Sequence, residues 1–214
     1  MMTFEDILDG LTQTDQKIIH ETMVLHEDIS RQTAAFAAQT GLACKNGCGA
    51  CCTNPHIEAT VTEVLPLAVH LWSQGLAESK LEAIQRHDFK GVCVFYQPDA
   101  HDKASGRCGI YRYRPGLCRL FGFSARRDKL GELELMTCRI IKDSQPEACQ
   151  QTQEGLNKGV KAPLLSTYAF GVANIDPVHG QQFLPINQAI AKALEKVGYG
   201  LEEKLKQKLP TPLE

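Results

Sequence analysis

Cys44, Cys48, Cys51 and Cys52 fall within nine residues as C-x3-C-x2-C-C. Thiolates bind zinc and iron at about 2.3 Å, and four of them close a tetrahedral shell. Spacing this short brings the side chains to one ion without straining the backbone. Gly47 and Gly49 let the chain fold tightly and bring backbone N–H groups close to sulfur. Adjacent Cys51 and Cys52 diverge, so they serve two different metals or one of them is structural.

The remaining thiols enlarge the candidate ligand set to all nine cysteines by adding Cys93, Cys108, Cys118, Cys138 and Cys149. Around Cys118 the sequence reads Arg114-Pro115-Gly116-Leu117-Cys118-Arg119. Pro115 suits the first position of a helical turn and places Cys118 in that turn, where orphan N–H groups and the helix dipole favour a thiolate. Arg114 and Arg119 are expected to offset the negative charge of a multi-thiolate site, with solvent exposure or pairing to carboxylates elsewhere as the alternative. Eight thiols fill two tetrahedral sites and leave Cys138 or Cys149 spare, whereas bridging thiolates extend nine to three ions. Alternatively, four ligands hold an iron–sulfur cluster and the rest form a structural site. The expected cofactor is therefore zinc or iron, as two or three ions, with an iron–sulfur cluster as the alternative. His56 and His101 are further candidates, each better explained as a solvated or packed histidine.

The redox compartment decides how these thiols are read. The opening segment Met1 to Asp6 lacks the basic and apolar regions of a signal peptide, and the longest apolar stretch, Val64 to Trp72, is broken by Pro66 and His70. These features predict a soluble cytoplasmic protein, in which clustered cysteines mean metal or redox chemistry rather than disulfides. The net charge of -2 gives no general attraction to nucleic acid or to an anionic membrane. Metal ions are the expected partners, with no nucleic acid and no membrane, and no feature names a protein partner. No P-loop, dinucleotide fingerprint or nucleophile elbow is present. Tyr111, Tyr113, Phe121 and Phe123 are expected to pack around the metal region.

The elements that must position these thiols are mostly helical. Ile18, Ile19, Met23, Leu25, Ile29 and Phe36 recur at helical spacing after possible caps at Thr12 and Thr14, and Gly41 ends the run. Thr60-Val61-Thr62-Glu63 has the form of a capping box before an apolar helix through Trp72. A short helix over about 78–87 follows, then an extended piece from Gly91 to Tyr96 and a polar loop from Gln97 to Gly106. Alternation over 120–126 and 132–138 around Asp128-Lys129-Leu130-Gly131 predicts a β-hairpin. Beyond it come a helix over 147–157, an irregular stretch over 161–185, and two final helices over 186–197 and 201–209. The expected fold is mainly α with a small β-hairpin: an irregular, cysteine-rich, metal-stabilised domain with N- and C-terminal helices. Its segments are 1–40 (N-terminal helical), 41–157 (cysteine-cluster, metal-binding) and 158–214 (C-terminal helical extension), packed as one globular unit.

The tract from Cys108 to Phe121 resembles C-x-I-Y-x-x-R-P-x-x-C-R-x-F, the motif of the YkgJ-like cysteine-cluster family. The first cluster is similar to that family's C-x(2,3)-C-x2-C-C signature, and Cys93-Val94-Phe95 to its middle C-x-F element. The resemblance spans about Cys44 to Cys149 and implies a zinc- or iron-chelating domain. It also makes Glu63, at a position where the family tends to carry an acidic residue, a further ligand candidate, with helix capping as the equal alternative. The expected role is structural or metal-handling. The alternatives are an iron–sulfur or iron-dependent oxidoreductase, and an accessory factor in protein modification, prompted by similar clusters in flagellin lysine methylases. The C-x3-C-x2-C spacing is also that of radical S-adenosylmethionine enzymes. A preceding helix and the lack of alternating strands and helices speak against that reading.

Overall fold

The computed structural model describes residues 2–89, 91–100 and 105–208. His101 lies outside them. Helix α1 (Phe4–Asp9) is closed by a capping box between Thr3 and Asp6 and leads into α2 (Gln13–Thr40), capped by Thr12. Along α2 the buried residues Ile19, Thr22, His26, Ile29, Thr33 and Phe36 alternate at spacings of three and four, one stripe facing the protein. Gly41 stops the helix at φ 71°, a left-handed conformation that costs glycine little. Then follow α3 (Ala50–Thr53), β1 (Glu58–Ala59), α4 (Val61–Ser73) and α5 (Ala77–Arg86). Strands β2 (Tyr96–Pro98) and β3 (Gly106–Cys108) precede a 3-10 turn, Tyr111–Tyr113, and α6 (Gly116–Leu120). The chain continues through β4 (Ser124–Arg127), β5 (Leu133–Met136), α7 (Arg139–Ser144), α8 (Pro146–Asn157), α9 (Leu165–Ile175), β6 (Leu184–Pro185) and α10 (Ile186–Lys208).

The fold is mainly α with small antiparallel strand pairs, β1–β6, β2–β3 and β4–β5. Among the described residues, no helix is long and apolar enough to cross a membrane. The largest core cluster is centred on α4, whose Val64, Leu65, Leu67, Ala68 and Val69 are all buried, and on Ile190, Ala193 and Leu194 of α10. Fully burying one such branched aliphatic contributes about 1.5–3 kcal/mol. The Trp72 indole N–H donates to the Leu194 carbonyl at 3.0 Å and stitches the two helices together. Smaller clusters gather Phe36, Leu42 and Ile141 under the β4–β5 hairpin, and Ile29, Leu120 and Tyr168 between α2, α6 and α9.

Four expectations need correction. Residues 91–95 turn rather than extend, because Tyr96 N–H donates back to the Cys93 carbonyl at 2.9 Å. Leu120 belongs to α6 and the first hairpin strand begins only at Ser124. The stretch expected to be irregular contains α9, whose Thr167, Gly171 and Val172 are poor helix formers; burial of Tyr168 and Val172 outweighs that preference. The two final helices are one, because Gly198 and Gly200 serve close packing instead of breaking the helix. A Cβ at Gly198 would lie 2.7 Å from the Trp72 ring, and one at Gly200 2.8 Å from Leu11.

A buried polar chain crosses these helices. The Glu63 carboxylate accepts from Thr60 N–H at 2.7 Å, from Gly116 N–H at 3.0 Å and from the Tyr168 hydroxyl at 3.0 Å. Tyr168 lies 3.0 Å from His26 Nε2, which makes that nitrogen the donor of a neutral ring. Replacing Glu63 by Ala strands three donors in the core and should cost about 3 kcal/mol or more, read by denaturant unfolding. Burial, assisted by the Arg119 charge, holds His26 at about 3, far below its ordinary 6.5. The unfolded chain therefore takes up a proton near 6.5 that the native state refuses. Stability must fall as pH drops from 6.5 towards 3, by up to about 1.4 kcal/mol per unit. Unfolding titrations between pH 7 and pH 5 should show a shallower slope for His26→Gln than for wild type; equal slopes would refute this assignment.

Candidate metal centre

The loop carrying the first thiols is held at both ends. Gln145 clamps Ala43, accepting from its N–H at 3.0 Å and donating to its carbonyl at 2.7 Å, which sets Cys44 beside the junction of α7 and α8. Further along, the Gly47 carbonyl accepts from Gly106 N–H at 2.8 Å. Gly49 has φ 58° and packs against Gly106 and the Tyr96 ring, where a Cβ would come within 2.7 Å of backbone; both conformation and space demand glycine. Gly49 opens α3, which carries Cys51 and Cys52. Cys93 N–H donates to the Cys52 carbonyl at 3.3 Å, so a thiol 41 positions downstream joins the cluster.

Cys93 lies in the turn before β2 and Cys108 ends β3; in that strand pair Tyr96 stands opposite Cys108. Each sulfur accepts from the N–H two residues on, Phe95 for Cys93 and Ile110 for Cys108. Such N–H···S contacts favour thiolate and orient a ligand before metal arrives. Their common signal in the sequence is a repeated Cys-x-(Phe/Ile)-Tyr, Cys93 to Tyr96 and Cys108 to Tyr111, which a search for cysteine spacing alone misses. Cys118 lies in the first turn of α6, with Pro115 as the residue before the helix rather than its first position. Glu63 holds that turn through Gly116 N–H, and its oxygens accept from three donors in all, which makes it a clamp between elements. Gly116 has no room for a side chain, since a Cβ would meet the Tyr168 ring at 1.9 Å.

The electrostatics sort the thiols into groups. The Cys52 thiol hydrogen-bonds with Cys51 and Cys108 and lowers them to about 6 and about 7, from an ordinary 9.0, while Cys52 itself is pushed far up. Burial raises Cys93 to about 11 and also lifts Cys118, on which the charges of Cys51, Cys93 and Cys108 act. Cys44 is raised by burial and then by Cys48, Cys138 and Cys51. The Cys138 sulfur caps α7 by accepting from Ile141 N–H at 3.4 Å. Cys149, on α8, is raised by burial and then by Cys138, against the nearby Lys142.

All the cysteines except Cys93 and Cys149 line one open cleft of about 1330 Å³ between α2, the cluster loop and α6. Arg114 faces the thiols and lowers Cys44, Cys51, Cys108 and Cys118, as the sequence led us to expect. Arg119 is occupied differently: it donates to the carbonyls of Arg114 and Arg112 and, at 2.7 Å, to the Ser30 hydroxyl, fixing the 112–119 segment to α2. His56 is exposed and lies outside the cleft lining. Tyr113 stacks on His70 with ring centres 4.5 Å apart and Phe123 packs into a core cluster, whereas Tyr111 and Phe121 are exposed on the cleft wall. Among the described residues, no three metal-binding side chains already surround one point at coordination distance. The donor set nonetheless suits a thiophilic ion, because the sulfurs are clustered, hydrogen-bonded and served by a cation. A cysteine re-aims by a single χ1 rotation.

No curated protein and no solved structure matches the chain significantly. A family model does: CxxCxxCC, "Putative zinc- or iron-chelating domain", matches residues 43–163, more than half of the 214. That span begins just before Cys44 and takes in every thiol and the whole of the cleft's cysteine wall. This chain belongs to the CxxCxxCC family of zinc- or iron-chelating domains.

Proposed function

We propose that the chain is a metal-handling protein that holds zinc or iron in two thiolate groups. The inner group is Cys51, Cys52, Cys93, Cys108 and Cys118, whose mutual hydrogen bonds and charges tie them together. The outer group is Cys44, Cys48 and Cys138, linked through Cys44. Cys149 is the spare thiol. The observation that carries this reading is the convergence of sulfurs from α3, the two Cys-x-(Phe/Ile)-Tyr segments and α6, with backbone N–H groups already donating to Cys93 and Cys108.

The bound ion would neutralise and cross-link thiolates that otherwise repel one another, and the protein's part is to hold the thiols together and favour the thiolate form of Cys51 and Cys108. Arg114, the Cys52 thiol and the N–H donors all serve that end. Purely structural sites are closed by their four ligands. Here most of the thiols face an open cleft, which favours exchange of the ion over a solely structural role. An iron–sulfur or iron-dependent redox centre would use the same donors and differs in its spectrum. Clustered thiols of this kind suit a reducing compartment such as the cytoplasm.

Anaerobic purification with elemental analysis and an absorbance spectrum should find at least one zinc or iron per chain. Cys108→Ser and Cys118→Ser should each lower that content, whereas Cys149→Ser should leave it intact. A chain without stoichiometric metal, or one whose content ignores Cys108 and Cys118, would sink the proposal. A colourless, zinc-only protein eliminates the redox alternative. Chelation should also lower the melting temperature, since ligand binding to the native state adds to its stability; an unchanged melting temperature argues against any structural contribution of the metal.

A further inference from the structure

The cleft over the thiols is strongly basic in a chain whose acidic residues outnumber its basic ones, 25 to 23. Lys45, Arg31, Arg107, Arg112, Arg114 and Arg139 line it together with Arg119, against Glu27 as the single carboxylate among its lining residues. Some of this charge is answered within the protein. Arg31 pairs with Asp28 and Arg139 with Asp143, while Arg119 is spent on backbone carbonyls and Ser30. Arg114 serves the thiols and stacks over Tyr111, its guanidinium 3.6 Å from the ring centre. Among the described residues, no carboxylate forms an ion pair with Lys45, Arg107 or Arg112. Among the described residues, the Arg107 side chain bonds the neutral amide of Gln97, and Arg112 is exposed.

The dimensions select among anions. Along α2 the lining runs from Met23 to Ala37, roughly 21 Å at 1.5 Å per residue. An extended polypeptide covers that length with about six residues. The cleft volume of about 1330 Å³ exceeds the roughly 300–1,000 Å³ of small-molecule pockets. The exposed rings of Tyr111 and Phe121 on its wall supply apolar anchor points that a small inorganic anion would not use.

We propose that the cleft bounded by α2, the 44–54 loop and the 106–119 segment docks an acidic, extended segment of a partner protein, with Lys45, Arg107 and Arg112 reading its carboxylates directly above the thiol cluster. Its purpose rests on the metal-handling reading, but the docking itself does not. An acidic segment laid there brings oxygen ligands beside the thiolates, which is the juxtaposition that transfer of an ion between two proteins requires.

The test is fluorescence anisotropy on the full-length, metal-loaded chain, with a fluorescein-labelled hexapeptide of alternating aspartate and glutamate as probe and an all-serine hexapeptide as control. The acidic peptide should bind at low salt, lose affinity as salt rises, and bind at least tenfold more weakly to the Arg107→Glu, Arg112→Glu double variant. Both arginines are exposed and neither is among the charges that act on the thiols, so metal content, measured in parallel, should match wild type. Equal binding of the two peptides, or an unaffected double variant, would overturn the proposal. So would saturable binding of citrate or pyrophosphate without binding of the hexapeptide, which would make the cleft a small-anion site. Peptide binding by a chain that holds no metal would support this groove while rejecting the metal-handling reading.

Discussion

Everything near the thiols depends on how the Glu63 carboxylate is buried. A carboxylate removed from water is costly unless donors replace the lost hydration, and here three do so: Thr60 N–H, Gly116 N–H and the Tyr168 hydroxyl. Each donor comes from a different place: the start of α4, the first turn of α6, and α9. Through Tyr168 the chain reaches His26 on α2. One buried group thereby sets the mutual positions of the helices that frame the cleft, and Cys118 stands two residues beyond the N–H it holds. The burial and the lack of space at Gly116 are parts of the same constraint, because the Tyr168 ring fills the volume a side chain would need.

The second governing fact is charge. Several thiolates in a small volume repel one another, and the structure opposes this with N–H donors at Cys93 and Cys108, a shared thiol proton at Cys52, and Arg114. Those devices lower some thiols and leave others, such as Cys93 and Cys118, raised by burial. Such a site is poised to exchange protons for a cation, the chemistry of a zinc- or iron-chelating family. The basic cleft lies on the same side of the molecule, so the face that presents the thiols also carries the unanswered cations.

Much of this was legible in the residues alone. The C-x3-C-x2-C-C quartet declared thiolate chemistry because four thiols so close in sequence cannot be far apart in space. The capping box at Thr60 and Glu63, the αL stop at Gly41, the Asp128–Gly131 turn and α8 were readable because each is decided within a few residues by hydrogen bonds or backbone sterics. The β2–β3 arms were written as Cys-x-(Phe/Ile)-Tyr repeats, although their meaning depends on a pairing that brings them side by side.

What only the tertiary structure decided are the contacts between distant segments. α9 is a helix because Tyr168 and Val172 are buried, and α10 runs through two glycines because Trp72 and Leu11 press against them. Arg114 and Arg119 look alike in sequence, yet one acts on the thiols and the other on backbone carbonyls. Likewise, spacing could not show that Glu63 accepts from three donors on three elements. The amino-acid sequence by itself determined the donors, since ligand chemistry belongs to the residue type. Their electrostatic surroundings and the cleft that exposes most of them came from packing between elements tens of residues apart, which local patterns do not encode.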